Sequence, residues 1–261
     1  MKALAARRRH PMAIGVLLLL GLLVTGGAYA LFTNDSSAQA QTASADQIDE
    51  GEKLFIANCA TCHGMSGEGT DNGPSLIGVG AAAVDFQVGT GRMPLQMQGP
   101  QAPVKPGQFT DEQTKQLAAY VASLAPGPAI PDDEFLDTAE GDAAEGGALF
   151  RSNCAMCHNV VGAGGALTRG KYAPNLSDVS AAHIYEAMQT GPQNMPIFND
   201  ANLTPEDKRD IITYLQTVSE DDSPGGFKLG SLGPVSEGLF VWVFGLGAVI
   251  AITVWLSARA K

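Results

Sequence analysis

The chain has 261 residues and a formal net charge of −11, with 27 acidic against 16 basic side chains. Phosphate binding needs clustered Lys and Arg, which excludes a nucleic-acid partner; the length allows more than one small domain but not a large multidomain enzyme. The charge is uneven: residues 32–237 hold 10 basic and 27 acidic side chains, while Lys2, Arg7, Arg8, Arg9, Arg259 and Lys261 lie at the two ends.

Residues 1–34 form a basic start followed by a hydrophobic segment. Pro11 to Asn34 carries no formal charge and includes the run Gly15-Val16-Leu17-Leu18-Leu19-Leu20. Arg7 to Arg9 make a basic leader and Ala28-Tyr29-Ala30 reads as a signal-peptidase site, but the apolar run exceeds the usual length for a signal. A cleaved signal peptide and a retained anchor both remain open.

The body is an internal duplication, with copies at 45–125 and 139–220. Glu50-Gly51-Glu52-Lys53-Leu54-Phe55-Ile56-Ala57-Asn58-Cys59 is answered by Glu145-Gly146-Gly147-Ala148-Leu149-Phe150-Arg151-Ser152-Asn153-Cys154. Pro74-Ser75-Leu76 answers Pro174-Asn175-Leu176, Met93-Pro94 answers Met195-Pro196, and Thr110 to Tyr120 answers Thr204 to Tyr214. Two copies make a duplicated domain, since a solenoid needs at least three. Each copy is predicted to open and close with a helix. Thr110 caps the first closing helix with Gln113 as its capping-box partner; Thr204 caps the second, with Pro205 at the position where a missing N–H costs nothing. Gly51 with Phe55, and Gly146 with Phe150, stand one turn apart, so each Gly permits a close helix crossing into which Tyr120 or Tyr214 packs. Between the helices the chain is Gly- and Pro-rich with almost no strand alternation. A stiff Pro-rich linker occupies 126–138, and a second linker, 221–237, leads to a terminal stretch.

That stretch, residues 238–258, is uncharged and apolar on every face, with Trp242 and Trp255 near its ends and Arg259 and Lys261 beyond. About 20 apolar residues cross the hydrocarbon core, and Trp prefers the interface, so a transmembrane helix is expected. The positive-inside rule puts both basic ends in the cytoplasm and the acidic body outside the cell membrane.

All four cysteines fall in two motifs, Cys59-Ala60-Thr61-Cys62-His63 and Cys154-Ala155-Met156-Cys157-His158. Cys-x-x-Cys-His is the attachment motif of c-type haem: two thiols add across the vinyl groups and the adjacent His63 or His158 reaches the iron. A four-thiolate zinc site has no need of a His after each pair, and a thioredoxin-like pair needs a βαβ context that is lacking. Two covalently bound haem c groups are expected. For the sixth iron ligand, Met65 and Met156 stand too close to the motifs, Met188 falls on a predicted helix where packing is the default, and Met97 has no equivalent in the other copy. Met93 and Met195 each precede a Pro, which favours an extended loop. Carbonyls at Pro74 and Pro174 stand 11 and 16 residues after the haem histidines, where one could accept the Nδ1–H and fix the ring. His183 reads as a surface helix residue.

Opening helix with Gly and Phe, Cys-x-x-Cys-His, Pro-x-Leu loop, Met-Pro and closing aromatic helix together resemble a class I cytochrome c domain, over about 46–124 and 140–218. The fold expectation is therefore all-α: two tandem class I cytochrome c-like domains plus one or two terminal transmembrane helices. The tandem with its hydrophobic ends is similar to the dihaem cytochrome c subunit of the actinobacterial menaquinol–cytochrome c reductase, the bcc complex. That resemblance implies a membrane-bound electron carrier working with cytochrome b and Rieske subunits and an aa3-type oxidase, without a substrate site of its own. It assigns Cys59, Cys62, His63 and Met93 to one haem and Cys154, Cys157, His158 and Met195 to the other. The dihaem subunit of a cbb3-type oxidase is similar in its tandem domains but is anchored at its N-terminus; a haem subunit of an outer-face dehydrogenase is the other alternative. The copies differ by a Pro-rich insertion, Leu95 to Phe109, and by extra residues between His158 and Pro174, which are expected to be exposed loops or docking surfaces.

Overall fold

Ser44 and Thr110 set where the first copy's long helices begin. Each hydroxyl accepts the backbone N–H three residues on, and Gln47 or Gln113 returns the bond to the cap N–H, relieving the unpaired donors of a first turn. The computed structural model describes residues 11–32, 43–220, 229 and 234–259. Its helices in chain order are α1 (Pro11–Phe32), α2 (Ala45–Asn58), α3 (Ala60–His63), α4 (Gly80–Gly89), α5 (Asp111–Leu124), α6 (Ala143–Asn153), α7 (Ala155–His158), α8 (Ala181–Thr190) and α9 (Pro205–Glu220). They are followed by α10 (Pro234–Phe240), a π-helical turn (Val241–Leu246) and α11 (Gly247–Arg259). A two-residue antiparallel pair, β1 (Gly165–Ala166) with β2 (Tyr172–Ala173), is the only sheet among the described residues.

Each copy is built on one crossing of its opening and closing helices, α2 on α5 and α6 on α9. A Cβ at Gly51 would fall on the Gln116 carbonyl, and one at Gly146 on the Asp210 carbonyl, so only Gly lets the backbones approach this closely. The closeness brings Phe55 to 5.1 Å from Tyr120 and Phe150 to 5.6 Å from Tyr214, ring centre to ring centre. Around these pairs gather Val84, Val88, Leu117 and Val121 in the first core, and Ile184, Met188, Ile211, Ile212 and Leu215 in the second. Met188 is thus a core residue of α8.

The linker is laid against both copies. The Pro128 carbonyl accepts the Ala82 N–H at 3.1 Å and Ile130 packs on the first core. Five residues later Phe135 lies 6.3 Å from Tyr185 in the second. The copies also meet directly, α4 against α8. There His183 corrects its sequence reading: its ring stands edge-on to Phe86 at 6.1 Å and is half-buried. The two insertions likewise meet each other. Gln101 donates to the Tyr172 carbonyl and accepts the Tyr172 N–H, both at 2.9 Å. The helix from Ser236 to Arg259 is long and apolar enough to cross a membrane, and among the described residues nothing buries its apolar window. The Arg259 guanidinium covers the Trp255 ring at 4.4 Å. In α1 residues 14–27 are exposed and, Thr25 apart, apolar. The basic residues 1–10 lie outside the described residues, as do Lys261 and most of the second linker.

Candidate haem-attachment sites

The two Cys-x-x-Cys-His motifs have the same local geometry. The opening helix stops at the first cysteine, whose φ is −120° at Cys59 and −119° at Cys154. A single new turn, α3 or α7, then carries the second cysteine and the histidine. Cys62 and Cys157 are exposed, while Cys59 and Cys154 face inward. Burial, reinforced by the neighbouring thiol, pushes the Cys59 and Cys154 thiols up to about 11.

Both histidines are oriented by a backbone carbonyl. His63 Nδ1 lies 2.8 Å from the Pro74 carbonyl, and His158 Nδ1 lies 3.1 Å from that of Pro174. A carbonyl only accepts, so Nδ1 carries the proton and Nε2 is left as a bare donor for a metal. Burial holds His158 below its ordinary pKa against the pull of that carbonyl, which keeps the ring neutral. The loop is pinned on the way: the Gly69 N–H bonds the His63 carbonyl and the Gly164 N–H bonds the His158 carbonyl.

The methionine loops follow α4 and α8. Gly91 and Gly191 turn the chain at φ +68° and +61°, and a Cβ at either would run into backbone, of Lys105 or of Met195. Met93 and Met195 then pack against the cores of their own copies, whereas Met97, Met65 and Met156 are exposed. Lys105 Nζ donates to the Pro94 carbonyl at 2.7 Å. The second loop is held differently: Lys208, wholly buried, pairs with Asp200 and lies 5.2 Å from the Tyr185 ring centre. That enclosure raises the Tyr185 pKa, through desolvation first and the Asp200 charge second. Lys208 was missed in the sequence because a Lys on a polar helix face ordinarily reads as solvated.

The donor set fits haem c at both motifs: two thiols and an imidazole nitrogen come from one short stretch, with a thioether loop on the same core. Known proteins agree. A cytochrome c family model matches residues 48–125, and a model described as cytochrome c oxidase, cbb3-type, subunit III matches residues 141–215. A cytochrome bc1 complex cytochrome c subunit from Corynebacterium efficiens is 45% identical over 97% of this chain and 90% of its own length. The protein of the same name from Mycobacterium tuberculosis is 44% identical over 97% and 93%. The chain belongs to the family of cytochrome bc1 complex cytochrome c subunits. It is an electron carrier with two covalently bound haem c groups, one on Cys59 and Cys62 and one on Cys154 and Cys157. A cbb3-type cytochrome c oxidase subunit FixP from Sinorhizobium medicae is 31% identical over half of the chain and 44% of its own length.

Proposed function

We propose that this subunit is the fixed electron link of a menaquinol-oxidising bcc complex, taking electrons from the Rieske protein and delivering them to the copper-A centre of an aa3-type oxidase. Two complete carrier domains on one chain, each with its histidine turned by a proline carbonyl, carry the reading. A shuttle must diffuse, whereas a tethered pair holds a high effective concentration at both docking sites. Near-full-length identity to bc1 complex subunits supports the assembly with cytochrome b and Rieske partners.

In this reading 45–125 and 139–220 are the carrier domains, 126–138 and 221–237 the linkers, and 238–258 the anchor. The haem domains face the outside of the cytoplasmic membrane and the C-terminus faces the cytoplasm; the segment 1–34 is a second anchor or a signal. When bound, each haem supplies a reversible one-electron centre. His63 and His158 would hold the iron through Nε2, with Pro74 and Pro174 keeping the proton on Nδ1. Met93 and Met195 would supply a thioether ligand each, which would raise the potential relative to a second histidine.

The test is quinol-driven oxygen uptake by membranes washed free of soluble cytochromes. Uptake should survive washing and collapse when either motif is removed by paired Cys→Ala substitution, with haem per chain falling from two to one. Met93→His and Met195→His should each lower one haem potential and leave the other in place. Normal quinol oxidation without this protein would end the respiratory reading. Loss of neither potential would end the methionine assignment.

A further inference from the structure

Where α4 meets α8, three side chains that serve neither haem motif converge. Asp85 comes from α4, and His183 and Glu186 come from one face of α8; one donor atom of each lies within 4.8 Å of the others. His183 Nε2 stands 3.8 Å from Asp85 Oδ2. Glu186 has no exposed surface, and neither of its carboxylate oxygens has a hydrogen-bond donor. A buried carboxylate with nothing to satisfy it is costly, and native structures that retain one call for a partner. A Cβ at Gly89, one turn beyond Asp85, would stand 3.0 Å from His183 Nε2, so the glycine gives the ring room that a side chain there would crowd.

We infer that Asp85, His183 and Glu186 form a divalent-cation site, suited to zinc, that ties the two haem domains together. One imidazole nitrogen with two carboxylates is a donor set of the kind zinc takes, with a remaining position for water. Zinc bonds of about 2.0–2.2 Å require donors closer together than they stand here, a change that side-chain rotation supplies. The charges allow it. Burial is the main influence on the His183 pKa and lowers it, the Asp85 charge opposes that, and Arg92, stacked on Phe86 at 4.6 Å, lowers it further; a neutral ring is the ligating form. Burial first and the Asp85 charge second push Glu186 up to about 10. Bound there, the ion joins α4 to α8, the helices from which the two methionine loops depart.

The full dihaem protein in mild detergent, stripped with chelator and dialysed against zinc sulfate, tests this by elemental analysis. Iron, at two per chain, serves as the internal count. One zinc per chain is expected, and Glu186→Gln and His183→Ala should each reduce retained zinc at least tenfold while leaving the haem spectra unchanged. Absorption at the zinc edge should report one imidazole and oxygen donors. Absence of stoichiometric zinc from the unsubstituted protein would overturn the site and leave Glu186 as a protonated structural acid. Zinc retained by both variants, or an all-oxygen shell, would also overturn it and point to the acidic surface. Should Glu186→Gln fail to fold, His183→Ala, at the less buried edge of the site, decides alone.

Discussion

The two haem domains hold their histidines alike and their methionines differently. At His63 and His158 the restraint is a proline carbonyl in each case, and the same Gly-mediated helix crossing stands behind both. Around Met93 the loop is secured by Lys105 reaching back from a Pro-rich insertion. Around Met195 it is secured by the buried Lys208 of the closing helix, through Asp200. Backbone restraints act within one short stretch and survive duplication unchanged. Side-chain restraints draw on whatever the neighbouring elements offer, so the two copies diverged there. Under the proposed methionine ligation, the surroundings of the thioether are one of the levers that tune a haem potential, and the two methionine loops are where the copies are unlike.

The largest expected effect tests the shared part. On helix propensity alone, Gly→Ala in a helix interior gains about 1 kcal/mol, but at Gly51 and Gly146 the new methyl meets a carbonyl of the facing helix. Overpacking of this kind costs about 3 kcal/mol. Each substitution should therefore lower the thermal midpoint of its own domain, read by calorimetry on the holoprotein. A rise in either midpoint would show that the crossing is not the common foundation.

The next effect separates the unlike part. Lys208→Ala removes a wholly buried aliphatic stem as well as a charge, and should cost about 2 kcal/mol; half-exposed Asp200 keeps its solvation, so the full penalty of an orphaned buried charge is not incurred. Lys105→Ala loses one hydrogen bond and should cost about 1 kcal/mol. Each should weaken the sulfur-to-iron absorption band of its own haem. Equal losses, or weakening in the wrong domain, would break the contrast.

The smallest effect sits where the copies touch. Gln101→Ala deletes the two-way bond to Tyr172 and should cost about 0.5 kcal/mol, since both groups regain water. Amide exchange at Tyr172 should quicken several-fold with haem content unchanged. Unaltered exchange would mean that the insertions merely lie side by side.

The sequence by itself determined the cofactor chemistry, the duplication, the helices at either end of each copy and the apolar terminal helix. These depend on residues close in the chain: Cys, Cys and His within one turn, Thr110 with Gln113, Gly51 with Phe55, an uninterrupted apolar run. Periodicity and capping report such relations directly. Tertiary structure alone decided that His183 leaves the surface to face Phe86 and Asp85, that Lys208 is buried, and that the two insertions bond to each other rather than to solvent. Gln101 and Tyr172 are 71 residues apart, and nothing local marks either as a partner. A polar side chain on a helix costs nothing in water and must be satisfied when buried; which of those conditions it meets is set by where the next domain lands, and that depends on the linker packing and on the α4–α8 contact.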